Sequence, residues 1–484
     1  MSYLGRQLNA PASTVELTAE GAITAGKPCI IEADGNVAQA GNAAASIGSI
    51  VEISTHTNIH PRSASSAYDS TNNKIVIAYS AQGSSNYGYA VVGTISGSTV
   101  SYGTPVAWTS TSIERPSIAF GNGKVVVSYK DQSGGTKARV GTVSGTSISF
   151  GNAETIDSNA TAGDNSIAYH AAEDKFVVAL QDNGSSSYGK ASVGTVSGTT
   201  ISFGSQVTFE SAYTFVEGRG VVYDSTNEKI VIIYTDNGSS NRGTGIVGTV
   251  SGTSISFGSP ATFGDASYGS MTLAATFDAS AGKIVVTGRE GQNSYAAYVV
   301  GTVSGTNITF GTQTVFLSES IANRYSSIEY SASAEKVVIA TSSSSGGLLH
   351  PGAVSGTSIT FDSTTASGAD ADYTVGALSD DTTARKIHVT LSDPNNSQRL
   401  SGRVFAPIQA NLTSENFIGF AENDCTDNGL ATIQLGGSVN DKQTGLTAGQ
   451  TYFVQKNGTI SIAADTPSVT AGTAVSATKL LVKG

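Results

Sequence analysis

An eleven-residue motif that occurs six times, a second run that occurs seven times and the near absence of helical spacing predict an all-β fold. Four strands in about fifty residues, repeated along the chain, mark a β-propeller. The expected architecture is a seven-bladed β-propeller closed by an N-terminal strand and inserted into a small β-domain formed by both termini.

The motif is "GTVSGTSISFG" at residues 141–151, with copies starting at Gly93, Gly194, Gly248, Gly301 and Gly352. The last copy is eroded to "GAVSGTSITFD". Successive starts lie 48, 53, 54, 53 and 51 residues apart. Ile148 and Phe150 alternate with Ser147 and Ser149, the period of two of a strand with one buried and one wet face. The "SG" at Ser144 and Gly145 supplies a turn between two such runs, so the motif reads as a hairpin.

Upstream of each copy stands a second pair of runs. "SSAYDSTNNKIVIAYS" (65–80), "GVVYDSTNEKIVIIYT" (220–235) and "LAATFDASAGKIVVTG" (273–288) show it most clearly. Equivalent runs start at Ser117, Ser166, Ser327 and Val375, which makes seven. "KIVIAYS" is apolar almost throughout, as a strand covered on both faces would be. A seventh third strand falls at "LSGRVFAP" (400–407), but the outer strand has only six copies. The segment "GSIVEISTHTNIHPRSASSAYDS" (48–70) lines up with 205–225 and places Val51–Ser54 where Val207–Glu210 lies. The N-terminal strand is therefore expected to complete the last blade and cover two edges that would stay unpaired. The propeller is expected to span 47–407.

The flanks carry another repeat: "ITAGKPCIIEADGNV" (23–37) matches "LTAGQTYFVQKNGTI" (446–460). Each reads as a turn, a strand, an Asp-Gly or Asn-Gly turn and a second strand. Residues 1–46 and 408–484 are accordingly expected to fold together as one β-domain, and a ring that closes would bring the termini near each other.

Composition narrows the function. The chain has 56 Gly, 10 Pro, 13% charged residues and a formal charge of −11, with no basic patch to neutralise phosphates, so nucleic acid is not expected as a partner. No apolar run is long enough to span a bilayer, and "MSYLGRQLNAPAS" lacks the apolar core of a signal peptide. Synthesis in a reducing cytoplasm is expected. Cys29 and Cys425, one in each terminal segment, are expected as two buried thiols rather than a bridge.

Catalytic motifs are missing from the sequence. His56, His60, His170, His350 and His388 are scattered over different repeats, and the His56/His60 spacing would suit a metal only on a helix. No CxxC, HExxH, Walker or GxSxG motif is present, and no cofactor is expected. Asp69, Asp224 and Asp278 recur where an Asx turn is required. The polar loops 81–88, 181–189 and 235–243 project from equivalent corners; Asp182, Asn183, Tyr188, Asp236 and Asn237 are the candidate surface-contact residues. Asp, Asn and Ser in series there could chelate calcium or hydrogen-bond a glycan, with Tyr87 or Tyr188 as a stacking platform. No axial cluster of carboxylates and arginines of the kind a propeller glycosidase needs can be picked out.

The opening "MSYLGR", the repeat built on "YDSTNNKIVIAYS" and "GTVSGTSISFG", and the closing "NLTSENFIGFAEND", "GLTAGQTYFVQKNGTIS" and "AGTAVSATKLLVKG" together resemble virion structural proteins of tailed, marine or cyanophage-like bacteriophages, of the tail-fibre or virion-surface type with β-propeller repeats. The resemblance covers almost the whole chain and brings no catalytic residues. It implies a non-enzymatic virion protein displayed on the phage surface, a fibre or host-attachment component. The alternatives are a capsid decoration (cement or head-fibre) protein and a polysaccharide-degrading propeller enzyme. Other virion proteins bound through the terminal β-domain, a host surface glycan or protein, and further copies of the chain as a homo-oligomer are the partners it implies.

Overall fold

The computed structural model describes residues 14–483 except 33–34, 44, 160–162, 217–218, 265–272, 292, 344–345, 363, 367–373 and 408. The opening "MSYLGR" and Asp34 of the first flanking hairpin lie outside the described residues. Among the described residues the fold is all-β and antiparallel, with helix limited to short 3-10 turns. The chain divides into two compact units, residues 46–407 and residues 1–45 with 408–484.

The repeats of the larger unit share one pattern, shown by the second. Its first strand, Ile113–Gly121, pairs with Lys124–Asp131, which pairs with Gly135–Ser144, which pairs with Ser147–Phe150. A short outer strand, Glu154–Asp157, returns to the free stretch of the third strand. The second strand is buried on both faces because Val125, Val126 and Val127 point alternately into neighbouring layers. In the fourth strand Ile148 is buried between exposed serines, as the alternation requires. Gly145 takes a φ of 61° and occupies the first of two loop positions between paired Ser144 and Ser147. A left-handed residue at that position alone is the pattern of a II′ hairpin turn, which Gly enters without strain. Gly198, Gly252 and Gly305 repeat it at 61°, 60° and 61°.

Two repeats merge. Thr314–Ser331 begins as the outer strand beside Tyr295–Ser304 and continues as the first strand beside Lys336–Ser343, giving one nine-stranded sheet. The last repeat takes its outer strand from the N-terminal side: Val51 and Glu52 pair with Gly402 and Ser401, and Ser46 and Ile47 with Ala406 and Phe405.

Neighbouring repeats are locked by a recurring close approach. Gly103, Gly151, Gly204 and Gly258 each follow a fourth strand and donate to the third strand of their own sheet. Each also lies so near the turn of the following repeat that a Cβ would meet a threonine carbonyl, at Thr146, Thr199, Thr253 and Thr306 respectively. Gly48 does the same: its amide donates to Val404 O at 2.8 Å, and its missing Cβ would meet Ser98 O in the first repeat. The first strands pack side by side in order, and Thr374–Asp381 of the last repeat packs against Ala64–Asp69 of the first. Tyr102 and His388 (2.6 Å), and Lys386 Nζ and Gly97 O (2.7 Å), also join the last repeat to the first.

The smaller unit has two five-stranded sheets. One interleaves Thr14–Thr18, Pro28–Ile31 and Val37–Gln39 with Phe417–Ala421 and Leu430–Gln434. The other contains Thr451–Val454 and Ile460–Ser461 with Val469–Ser476, Lys479–Val482 and Val439–Asn440. Ile30, Phe420, Tyr452, Val454 and Leu480 share one core. Both flanking repeats are hairpins, with Gly35 and Gly458 at φ 88° and 76°. Both cysteines are free, but only Cys29 is buried; Cys425 is half-buried, which corrects the expectation of two buried thiols. Burial pushes the Cys29 thiol up to about 12.

Candidate functional site

The first strands converge on a cavity of about 380 Å³, lined from every repeat by residues that include Ser66, Ser117, Ala168, Val222, Thr276, Glu329 and Leu378. Register identifies the unusual members. Opposite the second residue after the lysine that opens each second strand stand Ala67, Ala119, Ala168, Val222, Thr276, Glu329 and Ser379. Six are small or aliphatic; Glu329 alone is charged. Opposite the first residue after that lysine stand Tyr68, Phe120, Tyr169, Tyr223, Phe277, Tyr330 and Asp380, six aromatic rings and one carboxylate. Arg219, just before Val221–Asp224, reaches the same cavity and donates to Ser327 Oγ.

These groups perturb one another. Arg219 and Glu329 are surrounded by protein, yet each keeps part of its surface accessible because that surface faces the cavity. Burial, reinforced by the Asp380 charge and partly offset by Arg219, pushes the Glu329 carboxyl up to about 8. Burial raises Asp380 to about 6, against a hydrogen bond of 3.0 Å from Ala332 N. Arg219 is lowered by burial to about 10 and stays cationic. The expectation that no axial charge cluster exists is therefore corrected. It failed because the three residues sit in three different repeats and become neighbours only when the first strands converge.

A second site is a groove of about 360 Å³ lined by Glu52, Ile53, Ser54, Thr55, His56, Tyr89, Thr104 and Pro105. It lies where the N-terminal outer strand meets the first repeat. The His56 ring lies against Tyr89 with centroids 4.0 Å apart. Its Nδ1 is 2.8 Å from Ser54 Oγ and 2.9 Å from Tyr79 OH. Burial lowers His56, which keeps it neutral. Each hydroxyl can donate to Nδ1 or accept from it, according to the ring tautomer. Glu52 Oε2 receives Arg399 Nη1 at 3.1 Å. Tyr89, the His56 ring, the Glu52 carboxylate and threonine hydroxyls thus line one groove. A comparable groove, lined by Arg242, Thr262, Phe263, Glu290, Thr312 and Gln313, lies between the fourth and fifth repeats.

The loops singled out in the sequence are tight 3-10 turns at Gln82–Ser84, Asn183–Ser185 and Asn237–Ser239, each followed by two residues of positive φ. Asp182 is buried; it accepts from Gly184 N at 2.9 Å and pairs with Lys190 Nζ at 2.5 Å. Asp236 is buried and accepts from Gly238 N at 2.8 Å. Asn183 accepts from Ser187 Oγ and Asn237 donates to Asn241, while Tyr188 is half-buried at the start of its strand. Much of the polarity of these loops thus holds the turns. Asp69, Asp224 and Asp278 accept amides two and three residues on, the expected Asx turns. Among the described residues no three His, Cys, Asp or Glu side chains come together as a metal site. His388 and His350 are instead pushed down by burial, to about 3 and about 4. No helix among the described residues is long and apolar enough to cross a membrane.

No protein-family model and no curated protein matches this sequence. Solved structures match it. The BP39L lectin from Burkholderia pseudomallei aligns with a TM-score of 0.56 and 9% identity over 73% of this chain and 100% of that one. The six-bladed β-propeller lectin of Aleuria aurantia aligns at 0.38 and 13% identity, over 66% and 98% of the two chains. A mutant Trypanosoma rangeli sialidase aligns at 0.35 and 10% identity, over 72% and 58%. The likeness to the Burkholderia lectin is one of fold.

Proposed function

We propose that this chain is a non-enzymatic, carbohydrate-binding protein of a tailed-phage virion surface, a fibre or host-attachment component. In this reading residues 46–407 form a seven-bladed propeller closed by the strand around Val51, and the unit from both termini joins other virion proteins in a homo-oligomer. The packing of the last repeat on the first supports the ring. The sequence resemblance supports the virion, and the fold likeness to a lectin supports sugar binding.

The observation that carries the proposal is the groove at Tyr89 and His56. Sugars present apolar C–H faces edged by hydroxyls, and an aromatic face beside fixed donors and acceptors is the surface that complements them. The test is binding of purified protein to immobilised host-surface polysaccharides, compared with Tyr89→Ala and His56→Ala. Loss of affinity by about tenfold in either variant, as removal of a central contact implies, supports the reading. Binding that both variants retain in full overturns it.

The axial cluster gives one specific observation to the alternative, a polysaccharide-degrading enzyme, since a carboxyl that keeps its proton at a cavity, with a second carboxylate close to it, is part of the equipment of glycoside cleavage. New reducing ends released from host polysaccharide, and lost in Glu329→Gln, would establish that alternative in place of ours.

A further inference from the structure

Glu329 and Arg219 break an otherwise regular repeat at one cavity, and Asp380, a third departure, lies close enough to act on Glu329. Departures from a local rule that bring no evident stability mark functional sites more often than structural ones. Nothing in the fold requires charge there, since equivalent positions hold alanine, valine, threonine, serine, tyrosine or phenylalanine. Two residues that line this wall each carry a buried polar atom with no hydrogen-bond partner within the protein, Arg219 Nη2 and Ser66 Oγ. Buried donors of this kind are costly unless something accepts from them.

We propose that the axial cavity binds a small organic monocarboxylate, its carboxylate held by the Arg219 guanidinium beside Glu329. The choice of ligand follows from charge and shape. Among the described residues Arg219 is the one cation lining the cavity, and it offers a planar fork suited to a carboxylate. Asp380 lies close enough to act on Glu329, so a dianion such as phosphate is disfavoured. Glu329, with its proton retained at neutral pH, can donate to a bound carboxylate instead of repelling it. Ile118, Ile167, Val221, Ile328 and Leu378 give the organic part an apolar wall. About 380 Å³ is at the lower end of ligand pockets, which span roughly 300–1,000 Å³. The carboxylate could belong to a free organic acid or to an acidic sugar. The site shares no residue with the groove at Tyr89 and stands whether or not that groove binds glycan.

The test is titration calorimetry of the full chain with glucuronate, with glucose as the neutral counterpart and acetate as competitor. We expect one glucuronate site per chain, no effect of glucose, and affinity about 10- to 100-fold weaker in Arg219→Gln, as loss of a charge-assisted pair implies. Competition by acetate would assign the site to small acids generally; its absence would assign it to acidic sugars. Ala168→Leu, which fills the cavity while leaving Arg219 in place, should also abolish binding and serves if Arg219→Gln does not fold. Absence of glucuronate and acetate binding, or binding unaltered in the folded variants, overturns the proposal.

Discussion

The role of the N-terminal strand can be tested with one methyl group. In Gly48→Ala the new Cβ would stand closer than 3.0 Å to the Ser98 carbonyl oxygen, a backbone atom with no rotamer to yield. Gly48 is also tied on its other side, by its amide to Val404 O and by its carbonyl to Arg403 Nε at 2.9 Å. The strain must therefore separate the outer strand of the last repeat from the turn of the first. Overpacking of this kind costs about 1–3 kcal/mol. Gly151→Ala is the calibrator, because a Cβ there meets Thr199 O in the same way at an interior junction. Trp108, the sole tryptophan, is buried in the first repeat against Tyr129 at 4.8 Å, and its fluorescence reports unfolding. With a denaturant slope of about 3 kcal/mol per molar urea, each substitution should lower the midpoint by roughly 0.3–1 M. If Gly151→Ala loses this much and Gly48→Ala loses nothing, the N-terminal strand does not close the ring and the argument fails.

Gly252→Val should cost about 1–3 kcal/mol, the price of a left-handed φ for a β-branched residue, since a Cβ at Gly252 meets nothing within 4 Å and the backbone alone is strained. Unchanged stability by urea unfolding would contradict the II′ turn. Stability should also depend on pH through Glu329. Its folded value of about 8 lies above the ordinary 4.5, so the folded chain keeps a proton that the unfolded chain has released. This contribution is complete below about pH 4.5 and is lost as pH rises through 8. At most about 1.4 kcal/mol per pH unit is involved, and solvent access through the cavity reduces it, leaving roughly 2 kcal/mol between pH 5 and pH 8. Glu329→Gln should flatten that slope, and an identical pH profile in the variant would show that the carboxyl titrates normally.

What could be read from the sequence was whatever repeats locally. Ile148 and its counterparts alternate with serine because the strand has one wet face, and Gly145 follows Ser144 because a two-residue hairpin needs a left-handed first position; both signals lie within eleven residues. Counting left one place unfilled, since seven third strands stand against six fourth strands; Ser46–Ile47 fill it beside Ala406 and Phe405, while Val51–Glu52 take the short outer place that the alignment with Val207–Glu210 indicated. The axial cluster was hidden by the same regularity. Glu329 in "SIEYSASAEK" and Asp380 in "VGALSDDTTARK" look like ordinary strand and turn polarity until the runs are set in register on Lys336 and Lys386. In that register each charge occupies a place where the other six repeats have none. Arg219 has no signal of its own, because it precedes its strand and reaches the cavity only through three-dimensional convergence. The groove at His56 is likewise made of distant pieces, Glu52–His56 on one side and Tyr89 and Thr104 on the other. Repetition thus specifies a scaffold from short-range chemistry, and the positions that depart from the repeat are where distant segments meet. A periodic protein is best searched for function by aligning its copies and asking which of them breaks the rule on the face where all of them converge.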